Sequence, residues 1–433
     1  MDPTLLVVLV FCLLFGLLAA GMPIGFAMGI AALVGMGFLL DIQAALSLLG
    51  QTAYETGITY DLSVLPMFVL MGYLASGAGL SQTLYRSCNA WLGHRRGGLA
   101  LATIGGCGAF AAICGSSLAT AATMSQVALP EMRRYNYDDR LATGALAAGG
   151  TIGILIPPSV LMVLYGLMTE TSISHLFLAG VVPGILMVVM FMVAIAIVTH
   201  FKPELGPPGP RASYREKLLA VRDIWPTALL FALVIGGIYL GIFSPTEAAG
   251  IGAVGALALS VLNRTFSRRL LIDALVDTAK TTAMIFTILI GAIFFNNFLI
   301  LASVPNLIAD WLGDLALGRT AILLVILAIY LVLGCALDSL AMVLLTVPIF
   351  FPIVMALGYD PVWFGIIVVM VVELGLITPP IGINVFIIKG IASEVPLEKI
   401  FVGVLPFVIA QLILIAFLVA LPELALWLPG TMQ

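Results

Sequence analysis

Two stretches, Gly153-Ile154-Leu155-Ile156-Pro157-Pro158-Ser159 and Gly375-Leu376-Ile377-Thr378-Pro379-Pro380-Ile381-Gly382, decide how this sequence folds. Each interrupts a long apolar run, 137–169 in one case and 361–391 in the other. As unbroken helices these runs would extend ~45 Å, against a bilayer core of ~30 Å. A double proline removes two N–H donors and clashes with the preceding turn, so it frees carbonyl oxygens at the middle of the run. At membrane depth, freed carbonyls are tolerated where they line a cavity or bind something. Matched Gly/Pro interruptions in two halves of a chain therefore point to a midplane site for substrate and ion. A plain proline kink absorbed by packing is the simpler alternative.

The rest of the chain agrees with a membrane setting. Of 433 residues, 62% are hydrophobic and 9% charged, and mean hydropathy is +1.20. A soluble domain of this length needs far more charge to cover its surface. Net charge is −4, which offers no basic face for nucleic acid. The five cysteines and three histidines show neither CxxC nor metal-ligand spacing, which leaves them as packing residues. The first apolar run has no basic segment before it and no small-residue cleavage site, so it reads as a retained helix.

Apolar runs predict membrane helices near 4–20, 22–40, 65–79, 98–116, 117–134, 140–169, 176–200, 227–241, 246–262, 277–300, 319–336, 339–356, 362–391 and 400–428. Segments 81–92, 214–223 and 304–315 look amphipathic and interfacial. A shift of 222 residues lays Ser117-Leu118-Ala119 on Ser339-Leu340-Ala341, Pro130 on Pro352 and Tyr137-Asp138 on Tyr359-Asp360. It also lays Gly153 on Gly375 and Pro157-Pro158 on Pro379-Pro380. The chain is a duplication.

Two helix pairs, 98–116 with 117–134 and 319–336 with 339–356, turn within three residues; each could be an ordinary helical pair, and the topology favours re-entrant hairpins. Each half then crosses the membrane five times, and an odd number inverts the second half. With the N-terminus outside, 17 of the 18 Lys and Arg residues fall inside or at inner helix ends, and Arg319 alone is outside. That distribution obeys the positive-inside rule. The expected fold is an all-α polytopic membrane protein of two inverted-topology repeats, each with a re-entrant helical hairpin and a broken transmembrane helix.

The hairpin tips, Cys114-Gly115-Ser116-Ser117-Leu118-Ala119-Thr120 and Gly334-Cys335-Ala336-Leu337-Asp338-Ser339-Leu340, combine small residues with hydroxyl and carboxylate oxygens. Such oxygens suit a hard cation such as Na⁺. The helix that starts at each tip turns its positive end toward whatever binds there, although helix capping by Ser117 and Ser339 would place the same residues there anyway. Candidate substrate contacts are Gly115, Thr120, Ser159, Gly382 and Asn384. Among polar residues isolated in apolar surroundings, Asn296, Asn297 and Glu373, the last is an intramembrane carboxylate and hence a functional candidate. It could equally serve freed backbone groups. Glu247 is expected to cap a helix after a short outer turn. No Walker lysine, dinucleotide fingerprint, GxSxG or HExxH occurs, so an ion gradient or another subunit must supply the energy.

These motifs together resemble the large membrane subunit of tripartite ATP-independent periplasmic (TRAP) transporters. The resemblance runs from Gly21-Met22-Pro23-Ile24-Gly25-Phe26-Ala27 through Gly115-Ser116-Ser117 and Ile156-Pro157-Pro158-Ser159 to Ile377-Thr378-Pro379-Pro380-Ile381-Gly382. It implies a Na⁺-coupled elevator in the bacterial inner membrane, both termini periplasmic, importing small carboxylates such as C4-dicarboxylates or sialic acid. It also implies two partners, a small four-helix membrane subunit as a separate chain and a periplasmic substrate-binding protein. The family's Na⁺ sites carry over to Ser116, Ser117 and Gly153 to Pro157 in the first half, and to Asp338, Ser339 and Gly375 to Thr378 in the second. The first tip has no acid matching Asp338. The implied division is scaffold at 1–97 and 227–318, transport domain at 98–200 and 319–433, and a cytoplasmic connector at 201–226. A stand-alone carboxylate/Na⁺ symporter or ion antiporter of similar design is the nearest alternative. A membrane-embedded enzyme is disfavoured because no acid, base and nucleophile share one depth.

Overall fold

The computed structural model describes residues 3–304, 307, 318–335 and 337–432, and its described elements are helices. In chain order they are α1 (Pro3–Ala19), α2 (Ile24–Leu39), α3 (Ile42–Ile58), α4 (Val64–Gly77), α5 (Leu80–Leu92), α6 (Gly98–Cys114) and α7 (Ser117–Arg134). There follow α8 (Asp139–Leu155), α9 (Val160–Thr169), α10 (Ile173–Phe201), α11 (Tyr214–Tyr239), α12 (Pro245–Leu262) and α13 (Arg268–Leu301). The last group is α14 (Arg319–Gly334), α15 (Ser339–Ala356), α16 (Pro361–Gly375), α17 (Ile383–Ile391), α18 (Leu397–Ala420) and the single turn α19 (Glu423–Leu426). Among the described residues seven helices are long and apolar enough to cross a membrane, or eight if α8 and α9, bent by 42° at their junction, form one span.

The helices sort into two packed groups. In one, α4 lies against α12 and α13, and α2 lies along α13. In the other, elements from both halves of the sequence interleave: α8 packs on α6, α7 and α18, α17 on α7 and α8, and α9 on α15. Helix α10 joins this second group through α18 and α6. In lipid the apolar effect does not favour one helix pair over another, so close backbone approach by small residues has to hold helices together. Glycines do this in each group. A side chain on Gly25 would reach within 2.6 Å of the Thr287 carbonyl oxygen, and one on Gly291 would collide with the Gly25 carbonyl. In the second group, side chains on Gly144 and Gly403 would run into backbone of Gly403 and Arg140 respectively.

Three features depart from the sequence reading. Residues 42–58 form α3, which the hydropathy pattern left unassigned; Asp41 caps it, accepting from the Ala44 N–H at 2.8 Å. The segment 214–223 is not a separate interfacial helix, because α11 continues through Pro226 and across the expected connector boundary at 226/227. A capping box between Ser213 and Glu216 starts that helix, and one proline mid-helix removes one hydrogen bond without ending the run. Helix α13 begins nine residues ahead of the expected 277. The expected interfacial helix at 304–315 lies almost wholly outside the described residues. The Glu247 expectation matches: with Ser244 it forms a capping box at the start of α12.

Candidate functional site

Each tip is made by a helix that stops on small residues and another that starts at once. Helix α6 ends at Gly115, whose φ of +62° is left-handed and whose Cβ, if present, would lie 2.6 Å from the Pro158 carbonyl oxygen. Only glycine meets both demands. Ser116 is extended and caps α7, accepting from the Ala119 N–H at 3.4 Å. Ser117 is therefore the first helical residue and not the cap, so the capping expectation shifts by one. The second tip shifts the same way: Asp338 occupies the N-cap of α15, makes no side-chain capping bond, and leaves Ser339 as the first helical residue.

The breaks follow from the prolines. Pro157 and Pro158 have no N–H to offer the carbonyls of Gly153 and Ile154, four residues earlier, so α8 ends at Leu155. Neither of those carbonyl oxygens receives a hydrogen bond from a described residue. The chain resumes at α9, capped by buried Ser159, which accepts from the Met162 N–H at 3.3 Å. In the second half the same logic frees the Gly375 and Leu376 carbonyls, but here they find other donors. Thr378 N–H reaches Gly375 O at 3.1 Å, and Asn384 N–H reaches Leu376 O at 3.0 Å. The Thr378 hydroxyl donates to Leu374 O at 2.6 Å. Gly382, with φ +63°, turns the chain into α17. Pro157 and Pro158 are buried, whereas Pro379, Pro380 and Ile381 are exposed.

A cavity of about 240 Å³ lies where the tips meet the other helix group. Gly115, Ser116 and Ser117 line it from the first tip, Asp338 and Ser339 from the second, and Ile154 and Val160 from the first broken helix. The facing wall is Val69, Tyr73 and Ser76 of α4 with Thr281, Met284 and Ile285 of α13. The Tyr73 and Thr281 hydroxyls are hydrogen-bonded at 2.9 Å. The sequence reading missed this wall, whose one local signal is isolated polarity in apolar runs. Among the described residues no Lys, Arg or His lines the cavity, and Asp338 is its one charged residue.

Behind the first tip lies a buried polar cluster. Ser117 Oγ donates to Glu373 Oε2 at 2.5 Å, joining residues 256 apart in sequence. Thr120 Oγ1, Glu373 Oε1 and Asn384 Oδ1 are buried without a hydrogen-bond partner. A side chain on Gly153 would come within 2.7 Å of Ser116 O and 2.8 Å of Thr120 Oγ1, so this helix face approaches the tip's oxygens directly. Asn384 Nδ2 donates to Ala147 O at 3.4 Å, so α17 also reaches into the first half. Thus Ser116, Ser117, Thr120, Gly153, Glu373 and Asn384 form one neighbourhood. Asp338 and Ser339 join the first tip at the cavity, while Gly375 packs its backbone against Gly334 behind the second tip. Asn296 and Asn297 lie half-buried on α13 and do not line the cavity.

A family model described as "Tripartite ATP-independent periplasmic transporter, DctM component" matches residues 11–424. The chain belongs to the DctM family. It is the large permease component of a TRAP transporter, a multi-pass membrane protein and not an enzyme. It is 39% identical to the C4-dicarboxylate TRAP transporter large permease protein DctM of Pseudomonas aeruginosa, over 87% of this chain and 88% of that one. It is 32% identical to the sialic acid TRAP transporter large permease protein SiaM of Vibrio cholerae, over 96% of each. A solved structure, the Alcanivorax borkumensis YdaH transporter, shares the fold with a TM-score of 0.63 at 16% identity, covering 90% of each chain. The two relatives carry different substrate names, so membership alone does not fix the substrate.

Proposed function

We propose that this DctM-family permease imports a small organic-acid carboxylate, of the C4-dicarboxylate or sialic-acid kind, by coupling it to Na⁺. In this reading the two halves are inverted repeats in the bacterial inner membrane with both termini periplasmic. The helix group holding both tips and both breaks moves as an elevator against the group of α2, α4, α12 and α13. A periplasmic binding protein delivers the substrate, and a small four-helix membrane subunit completes the scaffold.

The observation that carries the reading is the set of unengaged oxygens around the first tip: Gly153 O, Ile154 O and Thr120 Oγ1. Buried oxygens left without donors are costly, and a hard cation is bound by such a set. Ser116, Ser117, Gly153 and Pro157 surround them. In the second half Asp338 and Ser339 offer a carboxylate and a hydroxyl on the cavity wall, with Gly375 and Thr378 behind. Helices α7 and α15 start at that wall, and their N-terminal dipoles favour an anion. With no basic side chain among the described residues of the cavity, these dipoles and a bound cation are the sources of positive charge for a carboxylate.

The test is uptake into proteoliposomes containing the permease and its small subunit, with the cognate binding protein and a panel of carboxylates, with and without an inward Na⁺ gradient. Uptake of one carboxylate that needs Na⁺ and binding protein is the expected result. Uptake indifferent to Na⁺ rejects the coupling ion.

A further inference from the structure

We propose that Glu373 is a positioning residue for the first tip, accepting the hydrogen bond of the Ser117 hydroxyl so that the serine's lone pairs face the cation; this rests on the Na⁺ reading above. A hydroxyl has one proton and two lone pairs. Several other buried hydroxyls in this chain donate to a carbonyl one turn back, as Ser125 does to Ala121 O and Thr346 to Met342 O, both at 2.6 Å. Ser117 lacks that outlet, because it is the first residue of α7 and the chain four residues earlier belongs to α6. Its hydrogen bond goes across the duplication instead, to Glu373 Oε2 at 2.5 Å on the last turn of α16.

The geometry goes beyond simple packing. Glu373 is 1% exposed and its other oxygen has no partner. A half-satisfied buried carboxyl destabilises a fold, and an apolar residue would pack there without that cost. The contact is also not repeated by the duplication. The 222-residue shift pairs Glu373 with Thr151, whose hydroxyl donates within its own helix to Ala148 O at 2.7 Å. It pairs Ser117 with Ser339, which has no side-chain hydrogen bond among the described residues. The second tip carries its own acid, Asp338, where the first has Ser116. Glu373 thus brings to the first tip the carboxyl that its own sequence lacks, and it ties ion occupancy there to the second broken helix.

The experiment compares Glu373→Met, close in volume but without the acceptor, with Glu373→Gln, which keeps an acceptor oxygen, each alone and with Ser117→Ala. Na⁺ half-saturation is read from uptake by the complete transporter, and separately from Na⁺-dependent thermal stabilisation of the purified complex. Met should raise half-saturation about tenfold, Gln should stay closer to wild type, and adding Glu373→Met to Ser117→Ala should raise it no further. A purely structural role would lower yield or maximal rate and leave half-saturation unchanged, which overturns the proposal. So does a Gln variant as impaired as Met, or strictly additive effects. If Met fails to fold, Glu373→Leu cycled with Ser117→Ala decides by the same criterion of non-additivity. Wild-type uptake indifferent to Na⁺ overturns the Na⁺ reading itself, and this inference with it, whatever the variants do.

Discussion

The two broken helices share one Gly-to-Pro-Pro spacing and are held in different ways. In the first, both prolines are buried and two carbonyls stay open. In the second, the prolines are exposed and the corresponding carbonyls are taken by Thr378 and Asn384. The acids differ in the same sense. Asp338 sits on the second tip itself, while the first tip borrows Glu373 from the other half. Equal motifs therefore build unequal sites: one rich in open backbone oxygens with a shared acid behind it, the other with its own carboxylate and a closed backbone. The lesson is that a duplicated motif fixes where a helix breaks, whereas the partners across the interface fix what the break can bind.

The comparison presumes that the halves are inverted, and the largest effect tests that. Arg134 and Ala356 are equivalent positions under the shift, and both are exposed. Single cysteines there, in a cysteine-free background, should react with an impermeant thiol reagent from opposite faces of the membrane. Labelling from one face breaks the comparison outright.

Next come the paired glycines. A Cβ on Gly375 would meet three backbone atoms of Gly334 at 2.5–2.8 Å, while on Gly153 it would meet the Ser116 carbonyl group and the Thr120 hydroxyl. Backbone cannot yield as a side chain can. Gly375→Ala should cost about 1–3 kcal/mol, seen as a larger loss in melting temperature than Gly153→Ala produces. Gly153→Ala should instead act on Na⁺ half-saturation. Equal thermal losses with unchanged Na⁺ dependence in both would erase the distinction drawn between the breaks.

A smaller effect separates the tips. Ser117→Ala should raise Na⁺ half-saturation more than Ser339→Ala, because among the described residues Ser117, unlike Ser339, has a side chain that accepts its hydroxyl's hydrogen bond, while Asp338→Asn should act on the second site alone. Uptake titrated with Na⁺ reads all three. If Ser339→Ala is the more severe of the two serine variants, the ranking of the sites is reversed.

The smallest effect concerns a surface tie between the halves. Arg133, at the end of α7, pairs with Asp139 at 3.4 Å and with Glu394 beyond α17. The Glu394 carboxyl is held below its usual range by its own backbone N–H and by the Arg133 guanidinium. A depressed carboxylate contributes at neutral pH and loses that contribution as pH falls through its folded value. Exposed pairs of this kind contribute little. Glu394→Gln should shift melting by less than about 2 °C at pH 7, with the difference vanishing in acid. A larger shift at pH 7, or one that persists in acid, would make this contact a main fastening.

Helix breaks and tips were legible in the sequence because proline, glycine and runs of small residues act locally. Pro157-Pro158 ends α8 whatever surrounds it, and Gly115 turns the chain on its own φ. Glu247 likewise announced its cap through Ser244 three residues before. What escaped depends on partners distant in sequence. Nothing near Glu373 indicates Ser117, and isolated polarity in apolar runs is all that marks Tyr73 and Thr281 of α4 and α13 as the far wall. Helix α3 escaped because Gln51, Thr52, Glu55 and Thr56 dilute its hydropathy. The caps were displaced by one residue because Ser116 and Ser117 are chemically equal and Asp338 and Ser339 are both favoured cap residues, so only backbone angles choose between them.

Gly144 and Gly403 bring α8 and α18 into backbone contact, as Gly25 and Gly291 do for α2 and α13. Contacts without intervening side chains have no rotamers to reshuffle, so neither pair can lengthen or shorten gradually. Each weld acts as a fixed gauge length. Two spin labels placed within the α8–α18 block should therefore report one sharp separation in every transport state. If the proposed elevator operates, a label pair running from that block to α2 or α13 would carry the whole displacement, with no internal flexing to subtract.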